Sequence, residues 1–269
     1  MLDALFHDKL ALGLAQAAVA AAAAGAVVLL ARRRAIHLEQ ELAVALARGL
    51  VQIVAVGAVL SLLLGGPAWT SVLLLVVMVV AAGATSARRA KGMPQAFQVS
   101  VWAIACGAGA VIAVMTLLGV IGTTLTTLVP VGSMLIANAM NTNGLALNRF
   151  RADVLAHAGE IETALALGAD GRASVAPYVR TAFESSLIPA IDSLRSLGIV
   201  WIPGLMAGML LSGADPVYAA IYQFVVLAMV FAASGLTSLV GTMLIRTRVM
   251  SPADQLLLRP GAEPGRGQG

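Results

Sequence analysis

Charged side chains are scarce in this chain of 269 residues, where Asp, Glu, Lys and Arg together make up 11%. Soluble domains carry roughly 25% charged residues, so this composition excludes an ordinary soluble domain. Cysteine occurs once, as Cys106, which excludes an intrachain disulfide and a cysteine-based metal cluster. The three histidines, His7, His37 and His157, lie outside the apolar runs, so an intramembrane histidine dyad or zinc site has no ligands. No stretch fits GxxxxGK followed by Ser or Thr, which excludes a P-loop for ATP in this chain.

The chain consists largely of long apolar runs, and its mean hydropathy is +0.92. A bilayer core is crossed by a helix of about 20 apolar residues. Backbone polar groups must be satisfied internally in lipid, so runs of this length form helices. We therefore expect an all-α polytopic membrane protein with about seven transmembrane helices, and the runs are 10–31, 42–64, 68–84, 99–121, 125–145, 198–212 and 217–245.

The basic residues predict the orientation. Clusters follow the first, third, fifth and seventh runs, at Arg32 to Arg34, Arg88 to Lys91, Arg149 to Arg151, and Arg246 to Arg248. Short loops rich in Lys and Arg stay in the cytoplasm, which predicts an N-terminus outside and a C-terminus inside. The net charge of +4 then faces anionic lipid, and we expect no nucleic-acid partner. The predicted location is the plasma (inner) membrane, crossed several times.

One loop is much longer than the others. Residues 146–197 are predicted to lie on the cytoplasmic side, with a helix from Glu160 to Leu167, a turn, and a second helix from about Ser174. In the second helix apolar residues recur at helical spacing, which indicates an amphipathic helix at the membrane face. It is either a surface-lying connector or a docking element for a soluble partner. Residues 1–249 are expected to form one membrane domain, and 250–269, rich in Pro and Gly, a disordered tail.

Polar residues inside the runs are candidates for a transport path, because they are costly against lipid. Arg48 and Gln52 lie four apart on one face of the second span, although snorkelling explains Arg48 equally well. Asn138 and Asn141 in the fifth span could instead bond neighbouring helices. Met134 and Met206 offer soft thioether sulfur, for which flexible packing is the commoner use.

Four strings resemble a known family. They are ARGLVQIVAVGAVL (Ala47 to Leu60), VPVGSMLIANAMNTNGLALNRF (Val129 to Phe150), EIETALALGA (Glu160 to Ala169) and SLIPAIDSLRSLGIVWIPGLMAGMLLSGADPVYAAIYQ (Ser186 to Gln223). They resemble the FetB/YbbM-like permeases, membrane subunits of an iron-exporting ABC transporter with plant relatives implicated in aluminium tolerance.

The resemblance covers the chain from Ala47 to about Arg248 and implies a permease that works with a separate ABC ATPase subunit. We expect a second copy of the permease in the same complex. ATP and Mg would be bound by the ATPase, and this chain would hold no cofactor. Glu160, Glu162, Gly168 and Arg172 would couple the two subunits. The implied cargo is iron, a metal-related species or a small organic molecule; because Arg48 repels a bare cation and no apolar run holds a carboxylate, we expect a neutral or anionic species. A stand-alone secondary transporter or a membrane scaffold remains the alternative.

Overall fold

The computed structural model describes residues 9–32, 39–63, 67, 69–90, 92–251 and 255–258, and it divides into unit 1 (residues 1–66) and unit 2 (67–269). Within the described residues the regular elements are all helical, as the sequence predicts. They are α1 (Lys9–Arg32), α2 (Glu39–Leu63), α3 (Trp69–Arg89), α4 (Ala96–Ile104), a π segment (Ala105–Gly109), α5 (Ala110–Leu117), α6 (Leu125–Ala156), α7 (Ala158–Ala166), α8 (Gly171–Ser196), α9 (Gly204–Leu211) and α10 (Pro216–Val249).

Unit 1 consists of α1 and α2, which pack against each other. Most of their described side chains are apolar, and these remain exposed or only partly buried, as in Val27, Val51 and Leu62. Such a surface is unfavourable in water and suits lipid or protein. Residues 11–28 and 42–63 are each long and apolar enough to cross a bilayer.

Unit 2 contains three more helical segments of this kind. They are α3, the continuous stretch from α4 through the π segment to α5, and α10. Helix α10 begins where the sequence predicts, because the Asp215 side chain accepts a hydrogen bond from the Tyr218 amide (2.9 Å) and Pro216 occupies the first turn. The five candidate spans confirm a polytopic helical membrane protein.

Two hydrophobic cores hold unit 2 together. One joins the apolar halves of α3, α4, α5, α6 and α10 around Leu135, Ile104 and Val226. The other, which we call the basic-end core, joins the ends of α6 and α10 to α7 and α8 around Phe150, Ile161 and other residues. The described basic residues that follow the third, fifth and seventh runs lie at this end, because α3, α6 and α10 each end there. That grouping supports a common side for them, while the orientation itself stays a prediction.

The sixth apolar run differs from its expectation. Of residues 198–212 only Gly204–Leu211 is helical, about 12 Å long at 1.5 Å per residue, so this run alone does not cross a bilayer. The fifth run lies in α6, which continues to Ala156. The number of spans therefore stays a prediction.

The structure describes a short part of the segment for which the sequence predicts a disordered tail. Leu256 and Leu258 are buried in the basic-end core, and residues 250 and 256 form an isolated bridge. Residues 255–258 are thus held by apolar burial, while 259–269 lie outside the described residues, and the disordered tail over 250–269 stays a prediction. The prediction of one domain over residues 1–249 stays a prediction.

Candidate functional site

Arg48 and Gln52 lie on one face of α2, as their spacing predicts. With Gln40 and Val44 they line an open groove of about 570 Å³, and both side chains are exposed. Among the described residues neither has an ion-pair or hydrogen-bond partner. The groove can therefore present a guanidinium and an amide to a ligand or to lipid headgroups, and its role in a transport path stays a prediction.

The two asparagines predicted for the path have different surroundings. Asn138 is partly buried, and its amide nitrogen donates to the Met134 carbonyl of the same helix (2.8 Å). The Met134 side chain packs on the apolar core. Asn141 is exposed and has no hydrogen-bond partner within the described part of the chain. Asn141 is thus the more available of the two for a ligand.

A third asparagine, which the sequence analysis did not select, is the best connected. Asn143 is fully buried, and its amide nitrogen donates to the hydroxyls of Ser86 on α3 (2.9 Å) and Ser100 on α4 (3.1 Å). Its carbonyl oxygen is buried without a described partner and faces Gly241 of α10, where a Cβ would collide with it. Four helices therefore meet at this amide. The sequence signal for Asn143 is a polar residue near the C-terminal end of the fifth apolar run.

Gln223 is a second buried amide that sequence reasoning missed. Its carbonyl oxygen accepts a hydrogen bond from the backbone amide of Met206 (3.2 Å), near the start of α9. The first amides of a helix have no partner within it, so Gln223 satisfies one of them from α10. The predicted path residue Met206 is thus positioned through its backbone, and its side chain is partly buried.

The predicted coupling residues surround one exposed corner at the basic end. Ile161 is buried in the basic-end core and anchors α7, while Glu160 and Glu162 on the same helix are exposed. After α7 the side chain of Leu167 is 84% exposed, and Gly168 takes the left-handed conformation (φ +89°) that favours glycine. We call residues 158–170 the corner.

Helix α8 starts at Gly171, three residues earlier than expected, because the Asp170 carboxylate caps the Ala173 amide (3.0 Å). The exposed Arg172 of its first turn borders a pocket of about 530 Å³ with Arg246 and Arg248. The Nε of Arg246 is buried with no partner among the described residues. Three guanidinium groups make this pocket suited to an acidic group.

Behind the corner, the rings of His157 and Tyr178 stack with centroids 5.0 Å apart. Burial, followed by the carboxylates of Glu160 and Asp153, raises the pKa of Tyr178. The stacked pair lies at the junction of α6, α7 and α8.

One face of α8 carries charge along its length. Arg180 donates to Glu184 (2.8 Å), and Asp192 lies 3.8 Å from Arg195, with all four side chains at least 60% exposed. The opposite face is buried through Val175, Ala182 and Ser186. After Ser196 the chain leaves the helix until α9 begins at Gly204, and residues 197–203 are called the break.

A protein metal centre finds no support among the described residues, where no group of three or more His, Cys, Asp or Glu could hold an ion. The pocket between α3, α5 and α6, of about 590 Å³, is lined by apolar residues and Thr116. Neither feature assigns a substrate.

Sequence comparisons identify the family. The profile described as "Uncharacterised protein family (UPF0014)" matches residues 14–250. The "UPF0014 membrane protein STAR2" of Oryza sativa subsp. japonica is 32% identical over 93% of this chain and 88% of its own length. The "Protein ALUMINUM SENSITIVE 3" of Arabidopsis thaliana is 31% identical over 91% and 90%.

The "Probable iron export permease protein FetB" of Escherichia coli (strain K12) is 30% identical over 94% of this chain and 95% of its own length. No solved structure matches the chain. The resemblance read from the four strings is confirmed, and the chain belongs to the UPF0014 family of membrane proteins.

Proposed function

We propose that this chain is the permease subunit of an ABC exporter, working as two permeases with two ATPase subunits that bind ATP and Mg. Its family includes a relative named as an iron export permease. The observation that carries the proposal is the corner at the basic end, where exposed side chains project from an anchored short helix. A short helix seated in a groove of a partner is a common way for proteins to dock.

The corner suits the transmission of force. Ile161 is 2% exposed and α7 packs against α8, so a push on α7 reaches the helices of unit 2. Glu160, Glu162 and Arg172 provide charge around the exposed Leu167. An apolar anchor within a polar rim is typical of interface hot spots.

The proposed cargo is iron, a metal-related species or a small organic molecule, moved out of the cytoplasm. Arg48 and Gln52 on α2, and Asn138 and Asn141 on α6, are the proposed contacts for a neutral or anionic form of it. A stand-alone secondary transporter is the second candidate, and it predicts transport without any ATPase.

Two leucines allow a matched test. Leu167 and Leu118 each follow the last residue of a helix and are exposed, but Leu167 is at the corner and Leu118 follows α5. We expect Leu167→Ser to weaken binding of the ATPase subunit about tenfold, because loss of an apolar anchor costs about 1–2 kcal/mol. Leu118→Ser should leave binding unchanged.

The measurement is copurification and stimulated ATP hydrolysis in vesicles, with ATP-dependent export of ionic and chelated iron as the second readout. Equal binding by both variants would show that the ATPase docks elsewhere. Export that needs no ATPase would establish the second candidate instead.

A further inference from the structure

Two hydrogen bonds fix the register of α8 and α9 along α10. Ser186 of α8 bonds Ser238 of α10 (2.8 Å between hydroxyls), and Met206 of α9 bonds Gln223 of α10 (3.2 Å). From Ser186 to Met206 the chain moves forward, while the partners on α10 move back from Ser238 to Gln223. Helices α8 and α9 therefore run antiparallel to α10. Arg172 beside Arg246 and Arg248 in one pocket agrees with that direction.

The charged end of α8 can be placed along α10 from this register. At 1.5 Å per residue, Asp192 lies about 9 Å beyond Ser186, and Arg195 about 13.5 Å. Counting back from Ser238, these distances reach the levels of Ala232 and Met229 on α10. The break begins two residues further on, at Leu197.

Those levels lie inside any bilayer that α10 crosses. Residues 217–245 contain no Asp, Glu, Lys or Arg and extend over about 43 Å. A core of about 30 Å takes about 20 of them, from roughly 217–236 to roughly 226–245 depending on where it is placed. Residues 226–236 of α10 fall inside the core in every placement. Asp192 and Arg195 are therefore at membrane depth.

Lipid does not suit this face of α8. The side chains of Asp192 and Arg195 are 62% and 78% exposed, and charged groups in the hydrocarbon cost several kcal/mol unless water or protein surrounds them. The break adds non-helical backbone: the amide of Gly198 (φ +75°) donates to the Trp201 carbonyl, and the side chains of Ile199 and Val200 are exposed. Non-helical backbone at membrane depth occurs where it is buried in protein or lines water.

We propose that α8, the break and α9 form a single interrupted membrane crossing, and that Asp192 and Arg195 at its centre line a water-filled path. This proposal rests on the permease function proposed above and adds residues to its path. It supplies the sixth crossing that the apolar run 198–212 does not complete alone, and it moves the second half of α8 out of the predicted cytoplasmic loop.

Joining α8 to α9 in one crossing also brings the carboxylate of Asp192 into the path, whereas the apolar runs contain no carboxylate. Interrupted helices near the midplane are where transporters hold substrate. Asp192 and Arg195 are balanced in charge, and their separation of 3.8 Å leaves room for polar groups of a substrate to bond either partner. A cargo with both donor and acceptor groups fits such a pair.

Cysteine labelling tests the placement at matched depth. In a Cys106→Ser background, Arg195→Cys and Ile188→Cys place a thiol on the charged face of α8, and Ile188→Cys leaves both charged pairs intact. Ala228→Cys and Leu236→Cys place one at nearly the same levels, those of Arg195 and Ile188 respectively, on the exposed apolar face of α10. A membrane-impermeant maleimide is applied to both sides of membranes that hold the chain with its ATPase, with and without Mg·ATP.

We expect the α8 thiols to react at least about tenfold faster than the α10 thiols in one of the two nucleotide conditions, because the reactive thiolate forms in water. No reaction at either α8 site in both conditions would mean that protein or lipid covers this face, which would overturn the proposal. Fast reaction at all four sites would place these levels outside the bilayer and would overturn it too. Labelling of the α8 thiols does not require coupling to the ATPase. If the ATPase fails to dock but the thiols react as expected, the result would count against the exporter proposal and not against the interrupted crossing.

Discussion

At the scale of single residues, the buried amide of Asn143 contacts three neighbouring helices of unit 2 and helps to fix their arrangement. Its two hydrogen bonds reach α3 and α4, and Gly241 of α10 leaves room for its oxygen. Interhelical hydrogen bonds in membranes contribute on average about 0.6 kcal/mol each. Their value here is also register, because a shift of any of these helices would leave buried polar atoms without partners.

Asn143→Ala should therefore destabilise the protein, whereas Asn141→Ala should not. We expect a loss of roughly 1–3 kcal/mol for Asn143→Ala, from two hydrogen bonds and a cavity in a close-packed site. Asn141 is exposed and has no described partner, so its loss should stay within about 0.5 kcal/mol. Apparent melting temperatures in detergent would measure both, and equal values would contradict the structural role given to Asn143.

At the scale of elements, the sequence predicts the helices whose signals are local. Apolar run length locates α2, α3 and α10, and Asp215 followed by Pro216 marks the first turn of α10. The corner is also foreseen, because Gly168 and Asp170 carry turn and capping signals. These features depend on a few neighbouring residues, and no tertiary contact is needed to recognise them.

The pairing of α8 with α9 could not be predicted in the same way. Charged residues on α8 indicate a surface helix by composition, and only Ser186 against Ser238 reveals the level at which it lies. Asn143 and Gln223 were missed for a related reason, since their partners are distant in sequence. The roles of Arg48, Gln52, Asn138 and Asn141 remain predictions.

The π segment provides a test at this scale, because its two glycines have different surroundings. A Cβ on Gly107 would lie 2.5 Å from the backbone nitrogen of Thr237 on α10, whereas a Cβ on Gly109 would meet nothing within 4 Å. We expect Gly107→Ala to cost about 1–3 kcal/mol by overpacking and Gly109→Ala to be neutral or slightly stabilising. Thermal stability of the two purified variants decides it, and a neutral Gly107→Ala would show that α10 can move away freely.

At the scale of the whole molecule, the ends of unit 2 differ in character. The basic-end core lies beneath the corner and the arginine pocket, while the opposite end carries the start of α10 and the turn after α9. An ATPase in the cytoplasm can reach only one of them. The exporter proposal and the positive-inside prediction therefore require the same orientation, although they rest on different residues.

That orientation is open to a direct test with two small, exposed positions. Ser212 follows α9 at the end of unit 2 opposite the basic-end core, and Ala169 lies in the corner. In a Cys106→Ser background we expect Ser212→Cys to react with an impermeant maleimide on intact cells, and Ala169→Cys to react only after permeabilisation, because Arg246 and Arg248 hold their end of α10 in the cytoplasm. The reversed pattern would place the corner outside, out of reach of any cytoplasmic ATPase, and would overturn the orientation and the exporter proposal together.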